Sequence, residues 1–275
     1  MKSVLTKLKY KFTNDALFKM LFVKYPELLK RLVAELLGIR DDSIKEFAIT
    51  NPEMRPETLG NKYCCLDINM NIDGRRVDLE VQVEDEKDYP ERSLYYWARE
   101  YSSALPESGE YRDLPRTIVI SIIAFKLFAC AEFHSEFRLL EATRHEQLTD
   151  RMSMHYFELP KLPKKVGKDD ELLLWLSLFR SKTEEEILNI QKMEVPIMEQ
   201  VIEAYRRVSA SDELKELARL RDREFRAKAS ALGNARRQAE AKTSIKIAKN
   251  LKANGVDIST IAKSTDLAVD EILKL

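Results

Sequence analysis

The sequence predicts a mixed β-sheet with helices on its faces, of α/β or α+β order, followed by an all-helical extension. Three observations carry this. The segment YCCLDINMNIDGRRVDLEVQV, Tyr63 to Val83, alternates apolar and polar residues on both sides of Asp73-Gly74, a strong two-residue hairpin signal. The mostly apolar run from Ile118 to Phe125 suits a buried strand and is too short to span a membrane. From Ser211 to Ala253 there is no proline and a single glycine, Gly233, which predicts one long helix.

Taken in chain order, Thr13 is the expected N-cap of a helix through Ala16, Leu17, Met20 and Leu21, apolar at helical spacing. Pro26 suits the first turn of a second helix, which Gly38 ends. After the hairpin, Pro90 opens a helix through Leu94, Trp97 and Tyr101 that stops before Pro106. Strands are expected over Thr117 to Ala124, Phe133 to Leu140 and Met152 to Leu159, then an apolar helix from Asp169 to Arg180. Helices follow from Thr183. Ser211 is a good N-cap, with Asp212 and Glu213 placed to favour the helix N-terminus, and Asn254-Gly255 ends the long helix. Two short helices joined near Ser264 to Asp266 complete the chain. The expected division is 1–182, 183–254 and 255–275.

Counting outward from Asp73-Gly74 fixes the hairpin register. Ile72 faces Arg75, Met70 faces Val77, Ile68 faces Leu79 and Leu66 faces Val81, so one face is core. The other face pairs Asn69 with Asp78, Cys65 with Gln82, and Asp67 with Glu80. Opposed residues have Cβ atoms roughly 4.5–5.5 Å apart, and like charges there destabilise. Two readings stand: the acids splay into solvent, or a divalent cation holds them, since hard cations prefer carboxylate oxygens. Glu80 and Gln82 project from the same face and put an acid beside an amide.

Composition narrows the function classes. The 275 residues are 44% apolar, enough for one sizeable domain and an appendage. Three cysteines, two of them adjacent, form neither a disulfide framework nor a zinc spacing. Cys64 is read as core and Cys65 as incidental. His134, His145 and His155 lack metal-ligand spacing, and no phosphate-cradling glycine motif or nucleophile elbow occurs. The N-terminus is too short and polar for a signal peptide, so a cytoplasmic location is expected. Net charge is zero but uneven: residues 205–252 carry +8, 257–275 carry −2 and 1–204 carry −6. The basic arm, with Arg236 and Arg237 at its centre, is either a phosphate contact or a solvated helix. Its length and weak apolar periodicity also suit self-association as a dimer. The last two helices resemble the start of a helix-turn-helix, but Asp270 and Glu271 outnumber Lys274 there, which favours a packing cap.

Asp67 on one strand and Glu80-Val81-Gln82 on the next resemble the metal site of the PD-(D/E)XK nucleases, with Gln in the lysine position. TNDALFKMLF, ERSLYYWAREYSSAL, GEYRDLPRTIVISI and HYFELPKL, in this order, resemble the Rpn family of recombination-promoting nucleases and putative transposases, over about Phe12 to Arg180. The resemblance implies a restriction-endonuclease-like sheet and a Mg²⁺-dependent DNA endonuclease, with Mn²⁺ or Ca²⁺ as other cations. It implies Asp67, Glu80 and the carbonyl of Val81 as metal ligands, and Gln82 and Asp15 as further site residues. Lys19, Arg92 and Tyr96 are the expected nucleic-acid contacts in the body. Asp15 and Lys19 have a second reading as an i,i+4 surface ion pair worth about 0.3–0.5 kcal/mol. The alternative function is a nuclease fold that binds DNA or a partner without cutting. No second acidic triad supports strand transfer.

Overall fold

The computed structural model describes residues 6–51, 68–105 and 107–275. Its centre is a six-stranded sheet in the order β1-β2-β3-β4-β6-β5. The strands are β1 (Phe47–Ile49), β2 (Ile68–Ile72), β3 (Arg75–Gln82), β4 (Thr117–Ile123), β5 (His134–Phe137) and β6 (Met152–Glu158). The first three strands are antiparallel, β3, β4 and β6 run parallel, and β5 closes the sheet antiparallel to β6. Parallel strands sit inside because they need cover on both faces. TIVISII in β4 and MSMHYFE in β6 are buried at every position.

The hairpin register is as the turn predicts. Asp73 and Gly74 both take positive φ, 48° and 75°, as a type I′ turn requires. Ile72 pairs with Arg75, Met70 with Val77, Asn69 with Asp78 and Ile68 with Leu79. The expected pairs Asp67–Glu80, Leu66–Val81 and Cys65–Gln82 lie outside the described residues, as does Cys64.

Helix α3 (Tyr89–Ser103) makes the crossover between β3 and β4. Tyr89 packs with Val119, Ile123, Met154 and Tyr156, and Trp97 lies against the same cluster. Pro90 occupies the first turn, but the helix begins one residue earlier. Leu94 on this helix is 49% exposed. The buried face is Tyr89, Ser93 and Tyr96, and the buried Ser93 hydroxyl is satisfied by the Tyr156 hydroxyl, 2.7 Å away.

The remaining helices of the body build a second, aromatic core. These are α1 (Asp15–Lys24), α2 (Pro26–Leu37), α4 (Glu171–Arg180), α5 (Glu184–Gln191) and α6 (Pro196–Ala210). Phe12 stacks on Tyr205 with ring centroids 4.6 Å apart, and Phe22 meets Phe179 and Trp175. Arg31 of α2 grips Glu171 of α4 through two 2.7 Å hydrogen bonds. Leu8 donates to the Lys182 carbonyl at 3.0 Å, which pins the first described residues to the start of α5.

Caps explain the helix boundaries. Gly38, in the left-handed region at φ 63°, ends α2 as expected. Thr183 and Glu186 form a capping box for α5. The cap of α1 is Asn14 and not Thr13: its Oδ1 accepts from the Leu17 amide at 3.0 Å, and Thr13 is buried. Replacing Asn14 by Ala leaves that amide without a partner. We expect a loss of roughly 1 kcal/mol, read as a lower denaturant midpoint at unchanged slope.

The chain divides into two compact units, 1–215 and 216–275. Helix α7 (Asp212–Ala253) starts in the first, where Ser211 Oγ accepts from the Leu214 amide at 3.2 Å. In the second unit, α8 (Ile258–Thr265) and α9 (Val269–Lys274) bury Ile261 and Ile272 around Ala248. Lys252 Nζ donates to the carbonyls of Ile272 and Leu273 at 3.0 and 2.9 Å and so caps α9. These contacts make the two short helices a cap on the end of α7. Among the described residues no helix is long and apolar enough to cross a membrane.

Candidate active site

The site begins with one strand. Alternation along β3 places Asp78, Glu80 and Gln82 on the sheet face that α3 covers, while Val77, Leu79 and Val81 point to the other. All three polar side chains are buried, at 4%, 3% and 5% exposure. The solvent-splayed reading of this face is therefore wrong for Glu80: covering by α3 and the β4 neighbour Ser121 removes it from water.

Burying a carboxylate is costly unless it is hydrogen-bonded or paired. Glu80 Oε2 accepts a 2.8 Å hydrogen bond from the Tyr89 hydroxyl. Its other oxygen, Oε1, is buried and has no hydrogen-bond partner among the described residues. Burial pushes the Glu80 pKa up, opposed by the Tyr89 bond and by the positive charge of Arg92. Burial and the neighbouring carboxylate likewise push the Tyr89 phenol well up, so it stays a donor. The Arg92 guanidinium lies 5.0 Å from the Tyr89 ring centroid and pairs with Glu86.

Gln82 donates through Nε2 to the Glu84 carbonyl at 2.8 Å. A backbone carbonyl only accepts, so the amide nitrogen is the end turned to the chain. Asp78 borders a cavity of about 240 Å³ together with Thr50, Asn69, Asn71, Arg76 and Glu100. Asp78 was not singled out in the sequence, although Asp-x-Glu-x-Gln at strand spacing puts all three on one face.

The other expected residues lie as follows. Val81 is buried, its side chain on the opposite face from Glu80. Tyr96 is buried one turn beyond Arg92, with its ring 6.0 Å from that of Tyr95. Asp15 is exposed at the start of α1, but Lys19 is only 5% exposed. Burial of Lys19 corrects the surface part of the ion-pair reading. Arg236 and Arg237 are exposed on α7, in contact with Glu240 and Asn234. Asp67 lies outside the described residues.

Two clusters were missed in the sequence. Glu158, fully buried at the end of β6, accepts from the Leu127 amide at 2.7 Å and pairs with Lys161. His134 Nε2 and His155 Nδ1 meet at 3.2 Å across the β5–β6 edge. Burial takes His155 down to about 4, so it is neutral at neutral pH. Among the described residues no group of three His, Cys, Asp or Glu side chains is arranged to hold a metal ion.

The molecule is a mixed α/β sheet whose inner strand β3 buries an Asp-x-Glu-x-Gln row under the crossover helix. The family model of the PD-(D/E)XK nuclease family transposase matches residues 12–235, and the chain belongs to that family. The match runs past the end of the body into α7. Comparison with curated proteins gives no match, and comparison with solved structures gives none.

Proposed function

We propose that the protein is a divalent-cation-dependent DNA endonuclease whose centre is Glu80, with Asp67 and the Val81 carbonyl completing the cation's protein ligands. The observation that carries this reading is the buried Glu80 oxygen Oε1, without a hydrogen-bond partner among the described residues, in a member of a nuclease family. A hard cation is the partner such an oxygen suits, and nucleases of this superfamily generally use divalent metals. Bound there, Mg²⁺ would supply charge neutralisation at the scissile phosphate and a more acidic water.

The chain's own groups then take distinct parts. Glu80 offers a carboxylate whose orientation Tyr89 fixes. Gln82 orients a water or a phosphate oxygen but carries no charge. Arg92 supplies a positive charge beside the centre, since it already acts on Glu80. Asp15, Lys19 and Tyr96 are proposed on the edge of the site, and Arg236 and Arg237 as phosphate contacts from the arm. The second reading, a nuclease fold that binds DNA or a partner without cutting, draws on Gln82, an uncharged amide in the lysine position that gives one of its hydrogens to the Glu84 carbonyl.

Nicking of supercoiled plasmid separates the two. Conversion to open circles with Mg²⁺ and none with EDTA supports the endonuclease. DNA binding with no cleavage under any of Mg²⁺, Mn²⁺ or Ca²⁺ supports the binder. Gln82 sharpens the test. Gln82→Ala should slow nicking by less than loss of Glu80, and Gln82→Lys should keep or raise the rate, because an ammonium adds the electrostatic stabilisation that an amide lacks. A folded Gln82→Lys protein with no activity would instead assign the amide a specific acceptor role.

A further inference from the structure

We propose that Tyr89 is a positioning residue that presents a single oxygen of Glu80 to the cation and so sets the site's preference for cations that take one carboxylate oxygen. The inference rests on the reading of Glu80 as a cation ligand.

The packed ring of Tyr89 sets where its hydroxyl lies. The hydroxyl donates to Glu80 Oε2 at 2.8 Å. The ring is fully buried, with Phe125 and Tyr156 edge-on at 6.0 and 6.3 Å and interplanar angles of 88° and 82°. Arg92 covers a face. Pro90, whose ring fixes φ, follows directly at the helix entry. The donor therefore cannot follow Glu80 if the carboxylate turns; the carboxylate must come to it.

The chemistry of the donor matters as much as its place. A lysine or arginine on Oε2 would orient the carboxylate but also neutralise it, and so weaken its hold on a cation. A phenol orients without adding charge. With Oε2 engaged, Oε1 is the oxygen left for coordination. Mg²⁺ and Mn²⁺ are served by one oxygen per carboxylate in an octahedral shell, whereas Ca²⁺ accepts both oxygens of one carboxylate readily. Groups that orient ligands in this way typically cost 10- to 100-fold in metal affinity when removed.

Titration calorimetry on the full-length apoprotein with Mn²⁺ and with Ca²⁺ tests this. Tyr89→Phe keeps the ring and loses the hydroxyl. Its Mn²⁺ Kd is expected to rise at least about tenfold, and its Ca²⁺ Kd to rise less, so that the Mn²⁺ preference shrinks. Tyr156→Phe removes a buried hydroxyl bond of the same kind from the same cluster, and its affinities should match wild type. An unchanged Mn²⁺ Kd in folded Tyr89→Phe overturns the proposal and leaves the nuclease reading standing, as does an equal loss in Tyr156→Phe. Wild-type protein that binds neither cation, or a Glu80→Gln variant that binds as wild type does, overturns both. A measurement on wild type stands apart from the folding of Tyr89→Phe. Infrared difference spectra with and without Mn²⁺, with the Glu80 bands identified by their absence in Glu80→Gln, should show the wide carboxylate splitting of one-oxygen coordination. The narrow splitting of two-oxygen coordination would overturn the proposal.

Discussion

Glu80→Gln, purified as the full chain, should retain its fold and its DNA binding and lose at least about a hundredfold in nicking rate, the scale on which removal of one preorganised electrostatic group acts. Asp67→Ala should lose activity to a similar degree. A second effect at Glu80 needs no substrate. Its carboxylate is buried, with one oxygen lacking a hydrogen-bond partner among the described residues, and burial raises its pKa. A raised folded-state pKa means that the ionised group opposes folding above its unfolded value. That cost shrinks as pH falls through the folded pKa and is gone below the unfolded one. Glu80→Gln should therefore raise the thermal midpoint at neutral pH without cation, with a gain that fades toward acid pH. Added Mg²⁺ should stabilise wild type and not the variant. Full nicking by Glu80→Gln would remove Glu80 from the centre, and an unchanged or lower midpoint would show that its burial costs the fold nothing.

The sequence showed the hairpin because its cause is local. Asp73 and Gly74 tolerate positive φ, and the register follows by counting. It showed Gly38 and Ser211 for the same reason. What it left open depended on partners far along the chain. Whether Glu80 faced water was decided by the helix that lands on it, and Tyr89 reaches Glu80 only because α3 enters beside β3. His134 and His155, 21 residues apart, meet because β5 and β6 pair. The strand expected from Phe133 to Leu140 shortened to His134–Phe137, where pairing with β6 ends. The choice between Thr13 and Asn14 as cap turned on burial of Thr13, which no local pattern encodes.

Removing the basic arm should weaken DNA binding at least about tenfold at moderate salt, flatten the salt dependence and shift the protein toward monomer. Residues 1–204 carry −6 and residues 205–252 carry +8. Duplex DNA meeting the body alone faces net repulsion, so a basic element has to supply the counterion-release term. The position of the cut matters. Ser211 caps α7, and Leu214 is fully buried, so the chain should end after Lys215, where the first unit closes. A full-length variant separates charge from bulk: Arg236, Arg237, Lys242, Lys246 and Lys249, all exposed on α7, changed to Gln. Its salt slope should fall by about 0.9 for each phosphate that the arm no longer neutralises, with the second unit's own core around Ala248 intact. Assembly should respond differently. Ile245 and Ile247 are exposed on the same helix, and a pair of such helices would bring two centres to one duplex, as breaking both strands favours. The Gln variant should then keep the wild-type mass by light scattering while the truncation falls to monomer. An unchanged salt slope in the Gln variant would leave the arm no part in DNA binding, and an unchanged mass in the truncation would leave it none in assembly.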